Sequence, residues 1–254
     1  MKTLLTLIIP GLVLLGSLSG ADKGPVVLIV SEIQHEVPVP PHPEPGKPVH
    51  YLLLGNEELD IGGYQAFMPK PDVQAMETEL LKVLAAQGFV QTKVGDPLPH
   101  LGLFFFWGDA NNMIPPQGGE KDPTPKLRQL VGADKIREQD LTLVEGERVG
   151  EHVYTNRVYI IVVALDLPSL IKNKKEPVVL WRTRVSVESL DHALPDSFQL
   201  MLAEAAPYFG RATDKPVFID DRTRNASVRL GELKVLELDA KPAAPKPDEP
   251  GQNK

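Results

Sequence analysis

The runs Arg157–Leu165 (RVYIIVVAL) and Val178–Val187 (VVLWRTRVSV) decide the fold. Both are long, apolar and rich in β-branched residues, the composition of strands with at least one buried face. The 12-residue connection 166–177 carries Pro168, Lys172, Lys174 and Lys175. A link so short and polar makes the two runs an antiparallel pair. Side chains alternate along a strand, so Val179, Trp181, Thr183, Val185 and Val187 share one face, and Arg182 and Arg184 the other. One face is therefore covered and the other partly wet. Trp181, mid-strand among valines, belongs to the core.

Working outward, Leu101–Trp107 (LGLFFFW) is a third strong run, nearly unbroken, and fits a central strand covered on both faces. Pro25–Val30 (PVVLIV) reads as a buried first strand, and His50–Leu54 as another. Between them, Val37–Pro48 holds prolines at 38, 40, 41, 43, 45 and 48. That density leaves extended, polyproline-like backbone, a stiff connection more readily than a docking segment for an aromatic groove. A helix spans roughly 71–87, with Val73, Met76, Leu80 and Leu84 as its apolar stripe and Gly88 ending it. A second spans 195–206, burying Phe198, Met201, Leu202 and Ala205 before Pro207. Residues 108–126 read as an exposed loop, and 126–136 as a modest helix weakened by Gly132. Shorter strands are expected at 89–93, 217–219 and 228–235, with Gly231 as a bulge. The sum is an α+β domain over 22–238: a mostly antiparallel sheet with two main helices packed on one face. Residues 239–254, a tail of Pro, Lys and Asp without aromatics, are expected to be disordered.

Composition bounds the chemistry. The 254 residues include no Cys, which removes disulfides, iron–sulfur clusters, cysteine zinc sites and thiol nucleophiles together. A net charge of −7 and a pI near 5.4 give no overall field for nucleic acid. Residues 1–21 have the build of a secretory signal peptide: Lys2, an apolar run from Leu4 to Leu15, then small residues through Ala21. Ser19 and Ala21 occupy the −3 and −1 positions of a peptidase site, so cleavage is expected before Asp22. The competing reading is a retained anchor, but the apolar stretch is short for a hydrocarbon core that needs about 20 residues. No later segment reaches 18 apolar residues, the least a spanning helix uses. The mature chain is thus expected to be soluble, exported to the periplasm, and without a transmembrane anchor.

The standard catalytic signatures are missing: no Walker loop, dinucleotide glycine fingerprint, His-Glu-x-x-His or Gly-x-Ser-x-Gly. His35, His42 and His50 have no standard metal spacing, and prolines after His35-Glu36 prevent the helix a zincin needs. Asp220-Asp221 with Arg222 and Arg224 reads as a charged turn, and Asp191-His192 lacks the cross-fold assembly of a dyad. No catalytic residue, metal site or cofactor is assigned. The candidate contacts are Trp107 with Asp109 and Asn111, an aromatic beside polar groups at a strand end, suited to a glycan lip or to a core Trp before a turn. Arg182 and Arg184, two apart on the wetter face, can meet a phosphate or carboxylate, or pair with charges across the strands.

Tyr64–Phe67, the helix end Ala85-Ala86-Gln87-Gly88-Phe89, Phe106-Trp107-Gly108 and Leu180-Trp181-Arg182 together resemble a group of uncharacterised Gram-negative envelope proteins. In that group a small-residue helix ends in a Gly-aromatic pair, and a later strand carries Trp-Arg after an Asp-containing connection; Asp166 and Trp181 occupy those places. The resemblance covers roughly residues 50–190. It implies an envelope location and carries no established activity. Many members are lipoproteins, whereas Ala21 stands here where the lipid-bearing Cys would be. The reading is a non-catalytic envelope protein that binds a protein or polymer partner or assists assembly. A small-ligand or glycan carrier is the first alternative, and an exported hydrolase using scattered carboxylates the second. N-terminal sequencing of exported protein should return Asp22 as the first residue; an intact Met1 on membrane-embedded chain would reject the signal assignment.

Overall fold

The computed structural model describes residues 24–34, 40–59, 61, 69–110, 124–136, 143–172, 177–190 and 192–220. In chain order the elements are β1 (Val27–Ile33), β2 (Val49–Glu58), α1 (Val73–Ala86), β3 (Phe89–Gln91), β4 (Leu101–Ala110), α2 (Thr124–Val131) and α3 (Leu143–Val153). They continue with β5 (Arg157–Asp166), α4 (Leu167–Lys172), β6 (Val179–Glu188), α5 (Leu194–Ala205), a 3₁₀ turn (Ala206–Tyr208) and β7 (Val217–Ile219). The expected signal segment with its Ala21–Asp22 junction, Tyr64–Phe67, the 228–235 strand and the 239–254 tail lie outside the described residues.

The strong runs form the middle of one seven-stranded sheet, ordered β3-β2-β4-β5-β6-β1-β7. β5 pairs antiparallel with β6 as expected, and with β4 on its other side. The class is α+β, but the sheet is mixed rather than mostly antiparallel, because β2 runs parallel to both β3 and β4. The chain leaves β2, crosses over through α1 and returns in the same direction as β3, the connection that parallel strands require. β3 is only three residues long, so the connection 92–100 suffices to start β4 beside β2 in that direction too.

The helices also depart from expectation. There are five α-helices among the described residues, and they cover both faces of the sheet. α1 and α5 pack on the first face with Met76, Leu80, Leu84, Met201 and Leu202, around Trp181, Val185 and Phe105. α2 and α3 pack on the second, where Leu127, Leu130, Val149 and Val153 meet Leu28, Val30, Tyr159 and Ile161. The wholly apolar start of β1 follows from this: Val27 and Ile29 point to one layer, Leu28 and Val30 to the other.

Local chemistry sets the helix ends. Asp72 is the N-cap of α1, its Oδ1 accepting from the Gln74 and Ala75 amides at 3.0 and 3.1 Å. α2 ends at Val131 because Gly132 takes φ 71°, and the amides of Gly132 and Ala133 reach back to the carbonyls of Gln129 and Arg128. That is a Schellman closure. A Cβ at Gly132 would also lie 2.8 Å from Val30, so the residue fixes how closely α2 approaches β1. Inside the 166–177 connection the chain forms the short helix α4, whose first turn is capped by the Asp166 carboxylate accepting from the Ser169 amide and hydroxyl.

One register detail re-sorts a predicted face. The pairing steps from Ala164↔Trp181 to Leu165↔Val179, leaving Leu180 as the extra residue of a bulge. Leu180 therefore joins Trp181 on the first face, and Val179 moves to the second. Trp181 itself is 0% exposed, with the rings of Phe89 and Phe209 each 6.0 Å away. Replacing it leaves a large hole that these rings do not close. Trp181→Ala should lower unfolding stability by about 3–5 kcal/mol, read from urea denaturation; a loss below about 1 kcal/mol would contradict this packing.

Candidate functional site

The second face of the sheet is longer than its roof. β4, β5 and β6 each have ten residues, about 33 Å of strand. α2 has eight, about 12 Å of helix. Among the described residues part of that face is left uncovered, and a cavity of about 500 Å³ opens between sheet and helix. Its floor is Phe104 and Phe106 of β4, Ile161, Val163 and Leu165 of β5, and Val179, turned inward by the bulge. Leu130 forms the apolar part of the roof, with Lys126 and Gln129 at its edge, and Leu59, Ile61 and Pro177 close the sides.

The strand register brings Arg182 and Arg184 to the same floor, opposite Val163 and Ile161. Arg184 is 4% exposed and forms a tight ion pair with Glu32 of β1. Glu32 lies directly across from Arg182, yet its carboxylate turns to the diagonal neighbour. Lys135 lies 3.9 Å from that carboxylate and donates to the carbonyls of Ser31 and Thr213 at 2.7 and 2.9 Å. One carboxylate thus faces two cations. Burial lowers the pKa of both Arg184 and Lys135, and Glu32 opposes the shift in each. The Arg184 Nε–H is buried without a hydrogen-bond partner among the described residues. Arg182 is half-buried, and its guanidinium has no hydrogen-bond or ion-pair partner among them either. Among the described residues every charged one lining the cavity, Lys126, Arg182 and Arg184, is a cation.

The wall at Leu59 is held by a close approach at Gly108. The Tyr159 hydroxyl donates to the Leu59 carbonyl, and the Leu59 amide donates to the Trp107 carbonyl at 2.8 Å. A Cβ at Gly108 would lie 2.5 Å from that Leu59 oxygen and 2.8 Å from the hydroxyl. The glycine is therefore required for the strand to carry this wall.

The other sequence candidates disperse. Trp107 is buried on the first face among Phe105, Val158 and Ile160, so it is a core residue and not a lip. Asp109 is half-buried on the same side of β4, and Asn111 lies outside the described residues. His42 and His50 share a cleft with His100, and His35 lies outside the described residues. Burial, then Arg211, lowers the pKa of His42. Among the described residues no group of three His, Asp or Glu is arranged to hold a metal. Asp191, Asp221, Arg222 and Arg224 are outside the description; Asp220 approaches Arg148 at 3.6 Å.

Sequence reading missed a polar cluster at the far end of the second face. Arg157, 0% exposed, donates from Nε to Ser186 Oγ at 2.9 Å and from Nη2 to the Ser186 carbonyl at 3.1 Å. Its Nη1 sits 3.1 Å from His152 Nδ1. Burial, then Arg157 and Arg148, push the His152 pKa down to about 4. The imidazole is accordingly neutral and accepts the Arg157 proton at Nδ1. Burial also lowers Arg157, to about 10, against the pull of Glu188. The only sequence signal was the Arg at the head of an otherwise apolar strand.

No family model matches the chain, and no curated protein matches it. Among solved structures it is similar to the PelC L103M dodecamer from Paraburkholderia phytofirmans, at 12% identity over 71% of this chain and 95% of that one. The TM-score is 0.33. Among the described residues no helix is long and apolar enough to cross a membrane.

The His152 environment has a pH signature. An unfolded His titrates near 6.5, well above the folded value. As pH falls the unfolded chain takes the proton first, so this contribution to stability is complete above about pH 6.5 and is lost towards about pH 4. His152→Gln keeps an acceptor for Arg157 but cannot titrate. Its urea midpoint should fall less than that of the wild type between about pH 7 and 4.5; parallel losses would contradict the neutral-imidazole arrangement.

Proposed function

We propose that this is an exported, non-catalytic protein of the cell envelope that acts by binding, and that its ligand sits in the cavity between the second face of the sheet and α2. The observation that carries the reading is the cavity itself, about 500 Å³ with a floor of two aromatic and four aliphatic side chains. That size and lining are those of small-ligand pockets, whose walls are mostly apolar with a few placed polar groups. The ligand-carrier alternative thereby becomes the most specific form of the binding reading, with its seat on the face opposite Trp107. Export rests on the build of residues 1–21, with Lys2, the apolar run and the small residues ending at Ala21.

Hydrolysis is less well served by this lining. General acid–base work needs a group that titrates near the working pH, and the charged groups lining the cavity among the described residues are two arginines and a lysine. Cations of that kind hold an anion in place without exchanging protons.

An uncharged fluorescent naphthylamine tests the seat. It should bind the purified wild type saturably, one probe per chain. Leu165→Trp, at a half-buried position on the floor, should reduce the bound fluorescence by at least about tenfold in affinity by filling the space. Val163→Trp provides a second blocking variant, with the unfolding midpoint of each recorded beside its binding. Absence of saturable binding to the wild type, or undiminished binding to both folded variants, would overturn the proposal.

A further inference from the structure

The cavity is two-sided in its chemistry. Phe104, Phe106 and Leu165 offer hydrocarbon, while Arg182, Arg184 and Lys126 gather positive charge at the β6 and α2 margins. This occurs in a chain of net charge −7, and no carboxylate lines the cavity among the described residues. Glu32, beside the two arginines, is engaged by Arg184 and Lys135, and Asp134 also acts on Arg184. Arg182 is left over, a planar fork of donors that the fold leaves without a partner among those residues.

Holding that fork beside hydrocarbon is costly unless something pairs with it. A half-buried cation within an apolar wall lacks the full hydration it has at an open surface, and like charge from Arg184 adds repulsion. An anion relieves both costs. A carboxylate or phosphate can take two parallel N–H donors from one guanidinium, the strongest charge-assisted geometry open to Arg. The rest of such a ligand must be apolar to suit the floor.

We infer that the cavity takes a single-chain amphiphile with an anionic headgroup, its chain laid over Phe104, Val163 and Leu165 and its headgroup held by Arg182. This rests on the binding reading above and adds the chemical class of the ligand. Arg184, held by Glu32, backs the site with charge, and Lys126 closes it from the roof. A fatty carboxylate and an alkyl phosphate present the same chemistry to the fork.

Displacement of the naphthylamine probe by matched tetradecyl compounds decides the matter. The carboxylate or the phosphate should displace it at least about tenfold more effectively than the alcohol or the trimethylammonium compound. The stronger of the two anions identifies the source. Arg182→Gln should bring anion and alcohol to near equality, with its unfolding midpoint recorded as a check of fold. Lys126→Gln, at an exposed position, should reduce the preference by a smaller factor and keeps the test open if the first variant does not fold. Equal displacement by anion, alcohol and cation on a wild type that binds the probe would overturn the headgroup inference alone. Failure of the wild type to bind the probe would remove the binding reading beneath it.

Discussion

The pairing of β5 with β6, with Ile161 opposite Arg184 and Val163 opposite Arg182, is the constraint on which the second face depends. A strand's side chains alternate with period two, so a shift of one residue would exchange the two layers wholesale. In the observed register Trp181 and Val185 lie against α1 and α5, and the arginines lie under α2. The reverse register would bury two guanidiniums in the apolar layer and expose the largest side chain of the core. The fold is thus held to one register by the cost of its alternatives as much as by its contacts.

The two faces are finished differently. The first is filled: Phe89, Trp181 and Phe209 interleave with the apolar sides of α1 and α5. The second is divided into three zones. Near β1 it is an apolar contact of Leu28 and Val30 with α2. At the start of β5 it is the Arg157–Ser186–His152 cluster, in which each buried donor finds an acceptor. Between the roof of α2 and the far end of the strands it is the cavity. Contacts that could only be structural fill the first two zones. In the third, hydrocarbon and positive charge meet.

Much of the fold could be read from the sequence where its signals are local. The β5 and β6 runs, the central place of Leu101–Trp107 in the sheet, the α1 stripe ended by Gly88 and the buried Trp181 all follow from alternation, helical spacing or a helix-ending glycine. The parallel course of β2 could not be read, because strand direction is fixed by where the chain returns and not by the composition of the strand. α3 lies in a segment carrying Gly146 and Gly150, which weaken helix propensity, and it is held by burial of Val149 and Val153. α4 lies inside a connection whose Pro168 and lysines carry no helical stripe. Val179 changed faces through a single-residue bulge that alternation does not anticipate. The candidate site divides in the same way: strand parity put Arg182 and Arg184 together on one face, while deciding between a lip and a core place for Trp107 required knowing which layer covers it.

The proposed ligand seat lies between the sheet and α2. Methyl resonances of the isotopically labelled protein, followed as an alkyl carboxylate is added, test it most directly. Ile161, Val163, Leu165 and Leu130 line the cavity, whereas Val185, Leu202 and Leu84 lie in the filled layer behind the sheet. The account predicts saturable shifts in the first group at concentrations that leave the second unchanged. Shifts centred on the second group, or scattered over both without saturation, would contradict it.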